Sequence, residues 1–288
     1  LRGGLGVAVG GGRLLPPVPV LCHGCLSGCT SAVGNLSISV IGPTNLSADS
    51  PAGGFIRGAA VAPTMATIRV EGLRKTYGDF PAVVGSDFAV EAGEIFGIVG
   101  PNGAGKTTTL KMLAGLVEPT AGTAEVIGRD AGDPEMRRDL GFLPEESPLY
   151  EDMTPRSYLR FFADLYDVPR EAARERTEST LDRLELEHRE RRLGDMSKGM
   201  KRKVAIARSL VNDPDLLIYD EPASGLDPLT TNYVLEFTRE LAERGKTVVF
   251  SAHNLYHVES VCDRIVIMNR GEIIARGTVP EIRETYGT

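Results

Sequence analysis

The chain has 288 residues, 42% hydrophobic and 25% charged, the balance of a soluble globular protein long enough for one large domain or two small ones. Its net charge of −7 excludes a surface given over as a whole to DNA or RNA, so no nucleic acid is expected as a partner. No uninterrupted apolar run reaches the ~18 residues that would cross a bilayer, so any membrane role needs a partner that does.

Residues 1–64 carry only Arg2, Arg13, Asp49 and Arg57 as charged side chains. They are rich in Gly and Pro, as in Gly10-Gly-Gly12 and Pro16-Pro-Val-Pro19, and show neither helical nor strand period. They read as a disordered or non-native extension, with Met65 as the natural start of a domain over 65–288. A secretory leader is the alternative, but Gly and Pro interrupt its apolar runs. Cys22, Cys25 and Cys29 are separated by two and three residues. That spacing lets thiolates reach one zinc ion or an iron–sulfur group, although the second ligand pair is incomplete. Cys262 stands alone and reads as a small core residue, and no disulfide framework is implied.

After Met65 the run Ala-Thr-Ile-Arg-Val-Glu-Gly-Leu alternates as a half-buried strand does. Glu94 leads into the buried strand Ile-Phe-Gly-Ile-Val, then Gly100-Pro101-Asn102-Gly103-Ala104-Gly105-Lys106-Thr107-Thr108, then a helix through Ala114. This loop has the form GxxxxGK(S/T). Its glycines let consecutive N–H groups turn toward phosphate oxygens, and the helix start adds about half a positive charge. Lys106 is placed to reach the β- and γ-phosphates, and the Thr107 hydroxyl to ligate Mg²⁺. An ordinary strand–turn–helix corner is the alternative, against which the strand before and the helix after both weigh.

Helical patterns follow over 154–166 and 170–187. Met196-Ser-Lys-Gly-Met-Lys-Arg-Lys203 then places four cations within six residues. Ser197 can cap a helix running to about Val211, leaving N–H groups and the positive dipole end for a phosphate. Met200, Val204, Ala207 and Val211 recur at helical spacing as its buried face. Lys201, Arg202, Lys203 and Arg208 mostly take the other faces and read as a solvated surface.

Asp215-Leu-Leu-Ile-Tyr-Asp220-Glu221 delivers two carboxylates at the end of a buried strand, where open α/β sheets place their ligands. With a P-loop in the same chain, Asp220 suits Mg²⁺ and Glu221 suits a general base for an attacking water. A third strand ends in His253, which reads equally as a surface histidine or as a hydrogen-bond partner sensing the γ-phosphate.

Over nearly all of residues 67–280 these motifs resemble the nucleotide-binding subunit of ATP-binding cassette (ABC) transporters. The resemblance implies an α/β fold: a P-loop NTPase core with a mainly parallel sheet, an N-terminal antiparallel β subdomain and an inserted α-helical subdomain at about 146–212. It implies ATP and Mg²⁺ as ligands, with Lys106, Glu221 and the switch-like His253 catalytic. Tyr77 stands where the family stacks an aromatic on adenine. Ser224-Gly-Leu-Asp227 looks like the D-loop, which places Asp227 at the nucleotide. Met196-Ser197-Lys198-Gly199-Met200 falls on the signature usually written Leu-Ser-Gly-Gly-Gln; it keeps Ser197 and Gly199, which in the family cap the γ-phosphate held by the opposite subunit. Glu145 stands where a Gln contacts Mg²⁺ and the attacking water, and its carboxylate can still ligate that hard cation.

The implied partners are a second nucleotide-binding subunit, as homodimer or heterodimer, and a separate transmembrane permease subunit. The expected location is cytoplasmic, on the inner face of the cell membrane. The Ser-Lys-Gly-Met spelling is similar to drug, ion and antibiotic exporters, so export is expected over import. Residues 147–154 read equally as part of the permease contact or as a plain connecting loop. The rivals are a cassette ATPase acting on DNA or ribosomes, against which the lack of a coiled-coil insertion or second cassette counts, and a P-loop kinase.

Overall fold

The computed structural model describes residues 66–286, so the extension with its three cysteines and the Met65 start lie outside the described residues. The chain opens with β1 (Ala66–Tyr77), β2 (Phe80–Glu91), β3 (Ile95–Val99) and α1 (Lys106–Leu113). Strands β4 (Ala121–Val126), β5 (Arg129–Asp130) and β6 (Leu140–Leu143) precede the helices α2 (Pro155–Leu165), α3 (Arg170–Arg183) and α4 (Lys198–Ser209). Then come β7 (Leu216–Tyr219), α5 (Pro228–Glu243), β8 (Thr247–Ala252), α6 (Leu255–Glu259), β9 (Arg264–Asn269), β10 (Glu272–Gly277) and α7 (Val279–Tyr286).

Two sheets result. An antiparallel one runs in the order β2-β1-β4-β5, and a six-stranded one in the order β10-β9-β3-β8-β7-β6 is parallel except for the β9–β10 pair. This is the expected P-loop architecture, with the antiparallel sheet built from β1 and β2 before β3 and from β4 and β5 after α1, and with α2 to α4 inserted between β6 and β7. The alternation seen in β1 buries Ile68 and Val70, and a register shift between Val70 and Leu73 then resets it so that Leu73 is also buried.

The central strands are apolar throughout because both faces are covered. Phe96, Ile98, Ile218 and Val249 join α1 and the antiparallel sheet in one core cluster. Ile95, Val99, Tyr219 and Phe250 join α2 to α5 in the other.

Capping fixes the helix starts. Thr154 and Ser157 form a reciprocal capping box on α2, and Ser197 accepts from the Met200 N–H (3.3 Å) at the start of α4. Helix α3 stops at Arg183, short of the expected 187, and Glu185 just beyond has φ +48°. The cations of α4 correct the solvated-surface reading. Lys201 pairs with Glu151 (3.3 Å), Lys203 lies over the Tyr233 ring, Arg208 donates to Tyr158, and Arg202 is buried. The helix is enclosed by α2, α3, α5 and β6, which leaves it little solvated face. Among the described residues no helix is long and apolar enough to cross a membrane.

A charged cluster joins α2 to α3: Arg156 donates twice to Glu178 (2.6 and 2.8 Å) and also pairs with Glu190, and Arg189 joins Glu178 to Asp182. The Arg156 hydrogen bonds push the Glu178 carboxyl down to about 2. A depressed carboxylate stabilises the fold above its ordinary pKa and loses that effect as pH falls through the folded value. Glu178→Gln is therefore expected to destabilise at neutral pH by no more than about 1 kcal/mol, because the cluster is partly exposed. In denaturant titrations the difference from wild type should shrink between pH 4.5 and 2. A second expectation concerns Gly141, where a Cβ would come 2.3 Å from the Ser209 carbonyl oxygen and 2.6 Å from Leu217. Gly141→Ala should push α4 off β6 and cost at least ~1–3 kcal/mol in urea unfolding.

Candidate nucleotide-binding site

Strands β3, β8 and β7 are parallel neighbours, paired Val99 to Ala252 and Tyr219 to Phe250, so their C-terminal ends share one edge. The loop after β3, the carboxylates after β7 and the histidine after β8 are thereby brought together.

The loop demands glycine at two points. A Cβ on Gly100 would come 2.2 Å from the Met268 carbonyl oxygen. Gly105 combines φ +103° with a virtual Cβ 2.6 Å from the Ala82 carbonyl oxygen. No side chain caps α1, and its first bond runs from Thr109 N–H to Gly105 O (2.9 Å). The amides of Lys106, Thr107 and Thr108 are thus left for an external acceptor, as at a phosphate-binding helix start. A cavity of about 260 Å³ is bounded by Asn102 to Thr108 together with Phe80, Ala82, Glu145 and Glu221.

Lys106 is buried, and its Nζ donates to the carbonyls of Gly100 (2.8 Å) and Pro101 (3.3 Å). It also lies 3.3 Å from Glu221 Oε1, an ion-pair contact that lacks hydrogen-bond geometry, so this buried oxygen accepts no hydrogen bond. Glu221 Oε2 lies 2.8 Å from His253 Nδ1, which donates because a carboxylate can only accept. The Glu221 backbone sits at φ +47°, a conformation costing ~1–3 kcal/mol that surrounding contacts must hold. Its N–H donates to Ser251 Oγ (2.9 Å), which in turn donates to Asp220 Oδ1 (2.6 Å).

The donors available to a cation are Thr107 Oγ1, the buried Asp220 carboxylate and, on the rim, Glu145. All are hard oxygens that suit Mg²⁺. Among the described residues no cluster of three His, Cys, Asp or Glu could hold a metal, so an ion here would be shared with phosphate oxygens. The Glu145 carboxylate accepts from Ser224 Oγ at 3.4 Å.

Four expected site residues stand apart from this cavity. Ser197 caps α4, and Gly199 faces Thr230, to which a Cβ would come within 3.2 Å. Asp227 caps α5 by accepting from Thr230 N–H (3.0 Å) and Thr230 Oγ1 (2.6 Å), bonds that hold its carboxyl below the usual range. Tyr77 lies at the β1–β2 turn beneath Lys75; its register partner Phe80, 62% exposed, is the aromatic that borders the cavity. Cys262 packs against the core, and burial pushes its thiol well up, as befits an inert residue.

Sequence reasoning passed over Ser251, Phe80 and Arg202. Ser251 had one signal, a hydroxyl after the apolar run Val248-Val-Phe250 of a buried strand, which must find a partner.

A parallel sheet whose edge gathers a P-loop lysine, paired carboxylates and a histidine defines a P-loop nucleotide-binding domain. Residues 83–224 match the ABC transporter family. An uncharacterized ABC transporter ATP-binding protein of Nostoc sp. strain PCC 7120 is 39% identical over 207 residues, 71% of this chain and 62% of that protein. The Nod factor export ATP-binding protein I of Burkholderia orbicola is 40% identical over 217 residues, 74% of this chain and 71% of that protein. The dimeric structure of a post-hydrolysis ATP-binding cassette bound to ADP and Pi superposes with a TM-score of 0.67 at 28% identity, over 74% of this chain and 98% of that one. The chain belongs to the family of ABC transporter ATP-binding subunits.

Ser251→Ala removes the donor to Asp220 and the acceptor of the Glu221 N–H together. It is expected to cost about 1–3 kcal/mol in urea unfolding. Mg²⁺ titration in the presence of ATP should also show weaker binding.

Proposed function

We propose that this chain hydrolyses ATP as one half of a nucleotide-sandwich dimer and drives solute export through a separate transmembrane subunit at the inner face of the membrane. The observation that carries the reading is the Glu221 carboxylate: buried, held between Lys106 and His253, and with Oε1 accepting no hydrogen bond. In this scheme the loop amides and Lys106 bind the phosphates. Thr107 and Asp220, with Glu145 at the rim, would hold Mg²⁺, which would supply charge neutralisation at the phosphates. Glu221 takes the proton of the water that attacks the γ-phosphorus as the bond to the bridging β–γ oxygen breaks. His253, donating to that carboxylate, keeps it oriented. Tyr77, whose register partner Phe80 borders the cavity, is the aromatic that would stack on the base.

Ser197, Gly199 and Asp227 lie away from the chain's own cavity, which supports a role on ATP held by the opposite subunit. The dimeric state of the ADP-bound neighbour and the export role of the Burkholderia relative support the same reading. Exposed Tyr150 ahead of α2, Phe161 and Leu165 within it and Tyr166 just beyond it offer apolar surface for the transmembrane partner.

Phosphate release by the purified full-length chain tests the chemistry. Glu221→Gln is expected to lower kcat by about 10²–10⁴-fold with ATP affinity retained. The same variant should pass from monomer to dimer on adding ATP and Mg²⁺, read by light scattering. A chain that binds ATP yet stays monomeric would refute the sandwich.

A further inference from the structure

Arg202 differs from every other cation of α4. It is 8% exposed, and its partners are five backbone carbonyls and one hydroxyl. Nε donates to Pro222 O (2.7 Å), and Nη2 donates to Glu221 O (2.6 Å) and Asp220 O (3.2 Å). Nη1 donates to Pro144 O (2.9 Å), Glu145 O (3.0 Å) and Ser147 Oγ (3.5 Å). Strands β6 and β7 stop pairing at Leu143 and Tyr219, and the guanidinium spans the two turns just beyond that point. Burial pushes it down to about 10, so it remains cationic at neutral pH. A buried cation is costly. The planar fork of five N–H groups offsets that cost only by engaging both turns at once, which an ammonium on a flexible stem cannot do.

We infer that Arg202 is a positioning residue for hydrolysis: it fixes the Glu145 turn and the Asp220–Glu221 turn at one spacing and fastens both to the helix that begins at Ser197 and Gly199. Contact with phosphate at the start of α4 and activation of water at Glu221 then belong to one rigid body. The kinetic part of this inference rests on the ATPase reading; the mechanical part does not.

Arg202→Lys tests both. Turnover should fall about 10- to 100-fold, as a small misplacement of catalytic groups can cost, with KM for ATP within about threefold because the P-loop is untouched. In a Glu145→Ala background the same substitution should cost less than in the wild type, since one of the groups being positioned is already gone and only the loss through the Asp220–Glu221 turn remains. Hydrogen exchange should accelerate at 145–147 and 220–224 together while β3 and β8 keep their protection. Additive kinetic losses, or unchanged exchange at either turn, would overturn the inference. Should the wild-type chain hydrolyse no ATP, the ATPase reading fails and exchange alone decides the role of Arg202. If the lysine variant does not fold, Arg202→Gln is read by the same two measurements.

Discussion

The carboxylate of Glu221 sets the terms for the rest of the site. It is buried, it follows Asp220 directly, and its backbone is left-handed without being glycine. Two adjacent buried carboxylates repel, and burying their charge is costly unless cations or donors answer it. The answers come from three elements: Lys106 from the start of α1, Ser251 within β8 and His253 just beyond its end, and from α4 the Arg202 guanidinium on the carbonyls behind both carboxylates. Remove the parallel pairing of β3, β8 and β7 and none of these groups meets. The sheet is therefore the precondition of the chemistry.

Helix α4 carries two tasks on opposite sides. Its start presents Ser197 and Gly199 away from the chain's own cavity, and one turn later Arg202 reaches inward to the turns that hold Glu145 and Glu221. Its far end is wedged on β6, where Gly141 permits contact with the Ser209 carbonyl. A helix held at its first turn and its last has little freedom to shift alone, so displacement at its start would be carried to the Glu145 and Glu221 turns.

Much of this was legible because each feature announces itself locally. A P-loop is spelled by glycines that no other residue can replace, and buried parallel strands appear as unbroken apolar runs. Ser197 as a cap follows from a hydroxyl ahead of a helical period. Arg202 was illegible for a physical reason: in sequence it is one cation among several, and its burial is created by Pro144 and Pro222, which lie far off in the chain. Ser251 was hidden in the opposite way, as a hydroxyl within a buried strand whose meaning depends on a neighbouring strand's end. Phe80 was passed over because it borders the loop only through its cross-strand pairing with Tyr77, which local spelling does not show.

The two charged departures from the usual family pattern share a destination. Glu145 adds a negative charge and accepts from Ser224. Lys198 adds a positive one, and its Nζ lies against Gly225, where a Cβ would approach to 2.2 Å. Ser224 and Gly225 are consecutive in the turn that leads to the Asp227 cap of α5, and Gly225 at φ +64° needs its glycine for conformation as well as for space. The added charges are opposite in sign and meet at one turn, so the field at the cavity changes less than either substitution alone would dictate. Each departure is then best understood with the other: an anion at the rim of the chain's own site, a cation at the start of the helix facing away from it, and a tight turn between them that both touch.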